Sequence, residues 1–158
     1  MHRGSGSVVS TILSGYCLKE LGRGKVHSLD HDPTYWKITQ SALRVHGLEG
    51  IARIVDAPVR SLVIHGREHV WYDTARLGEL PAIDLLVVDG PPEILHELAR
   101  YPALPVLYQK LSPGAVVLVD DASDPCMRRI VDLWLQEYPE FTREWIDTEK
   151  GTVILRRG

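Results

Sequence analysis

Ile83-Asp84-Leu85-Leu86-Val87-Val88-Asp89-Gly90-Pro91-Pro92 and Ala115-Val116-Val117-Leu118-Val119-Asp120-Asp121 decide the reading of this chain. Each is a short apolar run that closes on aspartate. A strand covered on both faces reads as a continuous Val/Ile/Leu stretch rather than an alternating one, so the two runs predict neighbouring buried parallel strands. Their carboxylates then gather at one edge of the sheet. In open α/β sheets ligands bind beyond the carboxyl ends of the strands, so Asp89, Asp120 and Asp121 mark a candidate site for a polar ligand, cationic or hydroxyl-bearing.

Working outward from these runs, helix and strand alternate. Val8, Val9, Ile12, Leu13, Tyr16 and Leu21 recur at helical spacing until Gly22 and Gly24 stop the pattern. Lys25 to Leu29 predicts a short strand. Asp32-Pro33 starts a second helix, with Trp36 and Leu43 on its apolar face and Gly47 at its end. Ile51 to Val55 predicts another strand, followed by a weakly patterned segment through Trp71-Tyr72-Asp73. Pro91-Pro92 opens a helix that Pro102 and Pro105 break in two, and Ser112-Pro113-Gly114 is a turn before the Ala115 strand. Asp124-Pro125 caps a last helix with Met127, Ile130, Val131 and Trp134 on one stripe. Phe141 to Ile146 and Thr152 to Leu155, joined through Glu149-Lys150-Gly151, predict an antiparallel hairpin. The whole predicts a doubly wound α/β domain over residues 1–158, with a mostly parallel sheet and a reversed final hairpin.

Composition fits one such domain. The 158 residues are 44% hydrophobic and 25% charged, enough to bury a core. A net charge of −3 offers no basic footprint for nucleic acid or an anionic membrane, so neither partner is expected. Cys17 and Cys126 are too few and too distant for a disulfide framework, and both read as small buried thiols of a protein in a reducing compartment. With no long apolar run and no signal-peptide pattern at Met1-His2-Arg3, the expected setting is the cytoplasm.

Gly4-Ser5-Gly6 immediately before a helix lets backbone approach a ligand, although Val9 stands where the dinucleotide fingerprint has its third glycine. Asp30 follows the next strand, where a carboxylate can accept both hydroxyls of a ribose. The pair favours an adenosine-bearing ligand over a bare phosphate.

Gly4-Ser5-Gly6 through Ser10-Thr11, Val26 to Pro33, Trp71-Tyr72-Asp73, Asp84 to Pro92 (DLLVVDGPP), Ala99 to Pro105 and Pro113 to Ala122 (PGAVVLVDDA), in this order and spacing, resemble the class I S-adenosylmethionine-dependent methyltransferases, within them the group called methyltransferase domain 24. The resemblance covers nearly the whole chain and implies a Rossmann-like three-layer sandwich. It implies that Gly4, Ser5 and Gly6 form the loop against the methionine and ribose, that Asp30 holds the ribose hydroxyls and that His31 lies beside the adenosine. Asp56 and Ala57 match the loop that contacts adenine, and Asp89 the acid near the methionine end and the transferred methyl. In catechol methyltransferases, carboxylates at the places of Asp89 and Asp120, with an amide at that of Asp121, hold magnesium. Asp121 is an acid here, which leaves magnesium open.

Methyl transfer from a sulfonium is an in-line displacement, so catalysis is alignment plus removal of the acceptor's proton when the acceptor is a hydroxyl. Asp89, Asp120 or Asp121 is the candidate base, or the ligand of a hard cation; Asp120 and Asp121 also suit a helix cap. The expected reaction is O-methylation of a small-molecule or sugar hydroxyl. His31, His65 and His69 read individually as surface or packing histidines, Trp36 and Trp134 as core, and Trp71 and Tyr72 as candidate pocket walls.

The family's first strand has no counterpart after Met1-His2-Arg3. The neighbouring strands are then expected to have open edges, with weaker cofactor affinity, lower stability and self-association through those edges as consequences. Two alternatives compete with methyl transfer. Asp30-His31-Asp32-Pro33-Thr34 satisfies the D-x-D-x-T pattern of haloacid-dehalogenase-like magnesium phosphatases, with Asp30 as nucleophile, and a methyltransferase-like domain that binds without turnover is the other.

Overall fold

The computed structural model describes residues 6–78 and 80–158, which divide into two compact units. The first comprises residues up to Arg60 together with Tyr72–Gly78, the second Ser61–Trp71 with the chain from residue 79 onward.

In the first unit, helix α1 (Gly6–Leu21) leads to strand β1 (Val26–Asp30), helix α2 (Pro33–Val45) and strand β2 (Ala52–Asp56). Asp32 caps α2 as expected, its carboxylate accepting the Thr34 N–H at 2.8 Å, with Pro33 fixing the first turn. Strands β1 and β2 are parallel, Val26 opposite Ala52 and Asp30 opposite Asp56. Leu43, Leu48 and Ala52 form the buried centre, with Ile12, Val26 and Ile51 packed on it. Gly15 brings α1 against Leu48 so closely that a Cβ there would stand 3.0 Å from Leu48 Cδ1. Trp36 is half-buried, and Cys17 is exposed rather than buried, because it falls on the side of α1 away from that centre.

A hairpin follows where the sequence is only weakly patterned: β3 (Val59–Ile64) and β4 (Arg67–Tyr72) form a two-stranded sheet. Its turn, His65-Gly66, has φ of 51° and 75°, the positive pair that matches the twist of a two-residue hairpin.

The second unit is built on β5 (Ile83–Val88), β6 (Leu111–Val119), β7 (Phe141–Ile146) and β8 (Thr152–Arg157) in the order β5-β6-β8-β7. β5 and β6 are parallel, and β8 is antiparallel to both β6 and β7, as the hairpin pattern predicted. Helix α3 (Ala103–Leu107) and helix α4 (Pro125–Glu137) complete it.

Three local expectations change. Pro91-Pro92 opens only a single 3-10 turn at Glu93–Leu95, and Pro105 lies inside α3, in the first turn where its missing N–H breaks nothing. Ser112-Pro113-Gly114 belongs to β6 as an irregularity: Ile83 pairs with Leu111 but Leu85 with Val116, and Gly114 takes φ 76° there. β5 is not covered on both faces, since Leu85 is 54% and Val87 42% exposed. Among the described residues β1 pairs only with β2 and β5 only with β6.

The core of the second unit centres on Val117, Val119, Met127, Ile130, Trp134 and Leu155, all fully buried. Trp134 also donates its indole N–H to the Tyr101 carbonyl at 2.9 Å. Trp134→Ala is expected to cost ~3–5 kcal/mol through the cavity it leaves, and Trp134→Phe ~1–3 kcal/mol, chiefly for the unpaired carbonyl. Urea unfolding followed by circular dichroism checks both; a Trp134→Phe cost near zero would remove the hydrogen bond from the account.

Candidate functional site

The two units each gather acids at strand ends. In the first, parallel in-register pairing puts Asp30 and Asp56 side by side at the ends of β1 and β2. Asp30 is 7% exposed, and its Oδ1 accepts the Asp32 N–H at 3.0 Å while its carbonyl accepts the Ala57 N–H at 2.8 Å. The acid is thus fixed through its side chain by the entry to α2 and through its backbone by the exit of β2. His31 Nδ1 stands 3.8 Å from Asp30 Oδ1, and its ring lies 6.4 Å from that of Tyr72.

Asp30, His31, Asp56 and Ala57 are therefore brought together, with two differences from expectation. Asp56 closes the strand rather than beginning the loop, and the Ala57 amide is spent on Asp30 instead of being open to a ligand. Gly4 and Ser5 lie outside the described residues, and Gly6 is the first residue of α1. The D-x-D-x-T pattern resolves into a strand end and a helix cap, the second acid, Asp32, accepting the Thr34 N–H.

In the second unit, Asp89 follows β5 and Asp120-Asp121 follow β6, and parallel pairing of those strands brings one oxygen from each of the three within 4.8 Å of one another. The Asp120 N–H donates to the Val88 carbonyl at 3.2 Å, tying the two strand ends together. Asp121 takes φ 56°, a left-handed conformation that an aspartate tolerates better than most residues.

Two cations that the sequence reading gave no role enter this cluster. Arg100, whose side chain is 9% exposed, donates from Nη1 and Nη2 to Asp121 Oδ2 at 3.3 and 3.2 Å, and its Nη2 lies 3.9 Å from Asp89 Oδ1. Lys150 Nζ stands 3.2 Å from Asp121 Oδ1. Lys150 is delivered by the β7–β8 turn, which is fastened to the acid loop by Ala122 N–H to Gly151 O at 2.9 Å and Ser123 N–H to Lys150 O at 2.8 Å. Gly151 permits this approach, because a Cβ there would meet Ser123 Oγ at 2.5 Å and the Trp145 ring at 2.7 Å.

The electrostatics separate the acids. Burial pushes the Asp89 carboxyl above its usual range; Arg100 opposes this, while Asp120 and Asp121 add to it. Burial also pushes Asp121 up, but the hydrogen bond from Lys150 and the charge of Arg100 outweigh it and hold that carboxyl below the ordinary range. His65 and His69 sit elsewhere in the unit: His69 stacks on Tyr101 at 4.9 Å, and the Tyr101 hydroxyl donates to Glu137 at 2.8 Å. Trp71 is buried rather than a pocket wall.

Residues 3–122 match the family described as methyltransferase domain, and the chain belongs to that family. No curated protein matches the sequence. Among solved structures, an O-methyltransferase from Bacillus cereus in complex with SAH is 14% identical, with a TM-score of 0.60 over 85% of this chain and 63% of that one. A methyltransferase from Geobacter sulfurreducens is 15% identical, TM-score 0.59, over 84% of this chain and 58% of that one. The precorrin-6y C5,15-methyltransferase from Geobacter metallireducens is 16% identical, TM-score 0.64, over 98% and 78%. These likenesses show a Rossmann-like α/β fold, and the chain spans about three fifths of the first two structures.

The opposite shifts predict opposite pH behaviour. Asp89, with a folded-state pKa above that of the unfolded chain, withholds stability once ionised, so Asp89→Asn is expected to raise the melting temperature at pH 7 and to lose that advantage as pH falls through the raised pKa. Asp121, with a lowered pKa, adds stability above the unfolded value near ~3.9, so Asp121→Asn is expected to destabilise at pH 7 and to converge on wild type as pH falls below it. Melting curves from pH 7 to pH 3 check both, and shifts of the same sign would contradict the assignment.

Proposed function

We propose that this chain transfers a methyl group from S-adenosylmethionine to a hydroxyl of a small molecule or sugar. The observation that carries the reading is the separation of the acids beyond β5 and β6, one raised in pKa and one held ionised, in a chain of the methyltransferase-domain family. The bound SAH in the Bacillus cereus structure supports the choice of donor.

The first unit's residues suit such a ligand. Asp30 is a buried carboxylate with its backbone and one oxygen fixed, so that little side-chain freedom is lost when it meets the ribose hydroxyls. His31 and Asp56 flank it as the adenosine-side contacts. S-adenosylmethionine supplies an electrophilic methyl on a positive sulfur: the acceptor oxygen forms the new C–O bond as the C–S bond breaks, its electron pair going to sulfur.

The second unit's acids handle the proton. Asp89 accepts it from the acceptor hydroxyl, because a carboxylate raised in pKa is the stronger base of the cluster. Asp120 is the neighbouring second acceptor, and Asp121, engaged by two cations, orients the loop that carries Asp120. A cytoplasmic setting and association through the open edges of β1 and β5 belong to the same proposal.

Calorimetric titration with S-adenosylmethionine and S-adenosylhomocysteine tests the cofactor. Saturable binding is expected, weakened ~10–100-fold in Asp30→Ala through loss of charge-assisted hydrogen bonds. Transfer of labelled methyl to a panel of phenols and sugars is then expected to fall in Asp89→Asn more than in Asp121→Asn. A folded chain that binds neither ligand overturns the proposal.

A further inference from the structure

We propose that the acid cluster of the second unit works without a divalent metal, Arg100 and Lys150 being its resident counter-cations. Three carboxylates within 4.8 Å of one another have the outline of a magnesium site, a possibility that the family resemblance leaves open. The donor set does not fit. A hard cation needs several oxygens with free lone pairs at ~2.0–2.6 Å. Asp121 Oδ2 already accepts two N–H groups of Arg100, and Asp121 Oδ1 is paired with Lys150. Asp89 Oδ1 faces the same guanidinium at 3.9 Å. Asp120 makes no ion pair among the described residues and Asp89 only the 3.9 Å approach, so with Asp121 engaged at both oxygens two carboxylates are left, each beside a resident cation.

Charge gives the same answer. The cluster's three negative charges meet two positive ones, and an added dication would stand within a few ångströms of both cations. Arg100 is too deeply buried to swing into solvent, whereas Lys150, with its side chain 68% exposed, is the one that could leave. The two cations are fixed by separate parts of the chain. Arg100 belongs to the segment between β5 and α3. Lys150 belongs to the β7–β8 turn, which two backbone hydrogen bonds clamp to Ala122 and Ser123. Its position is therefore set by main-chain geometry and not only by attraction to Asp121.

For catalysis, which rests on the methyl-transfer reading above, this makes the acceptor's proton a matter for a carboxylate, with no metal-lowered hydroxyl pKa. It also assigns Arg100 and Lys150 as positioning residues that hold Asp121 and its loop.

Mn²⁺ titration of the full chain followed by electron paramagnetic resonance of the free ion tests the inference directly. Wild type is expected to leave the free-ion signal unchanged up to millimolar Mn²⁺, with or without S-adenosylhomocysteine. Lys150→Met, at an exposed position whose folding melting curves verify, is expected to gain at least ~10-fold in Mn²⁺ affinity by removal of one nearby positive charge. That gain is expected to vanish in Lys150→Met combined with Asp120→Asn. Stoichiometric Mn²⁺ binding by wild type that is lost in Asp120→Asn overturns the inference, and so does the absence of any gain in Lys150→Met. Since the readout is metal occupancy, it stands or falls separately from the methyl-donor titration.

Discussion

The Arg100–Asp121 ion pair is the constraint from which the second unit's site follows. A guanidinium buried to this extent is tolerable only if it is paired, and Asp121 supplies the pair through both terminal nitrogens. Because Arg100 also lies near Asp89, a single cation connects the ends of β5 and β6 through side chains, just as the Asp120 N–H to Val88 carbonyl bond connects them through backbone. Removing Asp121 would leave the guanidinium with Asp89 alone, at 3.9 Å. The left-handed backbone of Asp121 is held in place by this arrangement.

In the first unit the buried Asp30 carboxylate accepts a backbone N–H from the entry to α2, with His31 Nδ1 3.8 Å away. The two units thus keep buried carboxylates by different physics: dipoles and amides in one, full charges in the other. Full counter-charges around an acid leave little room for another cation.

The strands that carry acids, both helix caps and the final hairpin were legible because each has a local signature: an apolar run, Asp-Pro at a helix start, two β-rich runs around Lys150-Gly151. The β3–β4 hairpin was not. Arg60, Ser61, Arg67 and Glu68 dilute its alternation, and its turn uses His65-Gly66 where Asn-Gly or Asp-Gly would have announced itself. Leu85 and Val87 show the limit of reading burial from hydrophobicity, since a continuous apolar run does not say that both faces are covered. Arg100 and Lys150 carried no periodic signal. A single cation has no period, and these two meet Asp121 only because β8 folds back beside β6 and brings its turn to the acid loop. Arg100 does stand in the Ala99–Pro105 stretch that resembles the family, and a cation so near the acid motifs is the one signal the sequence holds for it.

The strand order β5-β6-β8-β7 has a consequence for synthesis on the ribosome. β6 is complete at Val119, but its partner begins only at Thr152, so the ladder edge from Val116 to Val119 waits for the last strand of the unit to emerge. Until then the nascent chain exposes an unpaired, highly apolar edge, and Asp121 faces Arg100 without Lys150. Pairing across such a sequence distance is intrinsically slow, and an unpaired edge is the surface through which incomplete chains associate. The strand that protects the sheet is therefore the last of this unit to be translated, and folding yield should depend on how quickly it arrives.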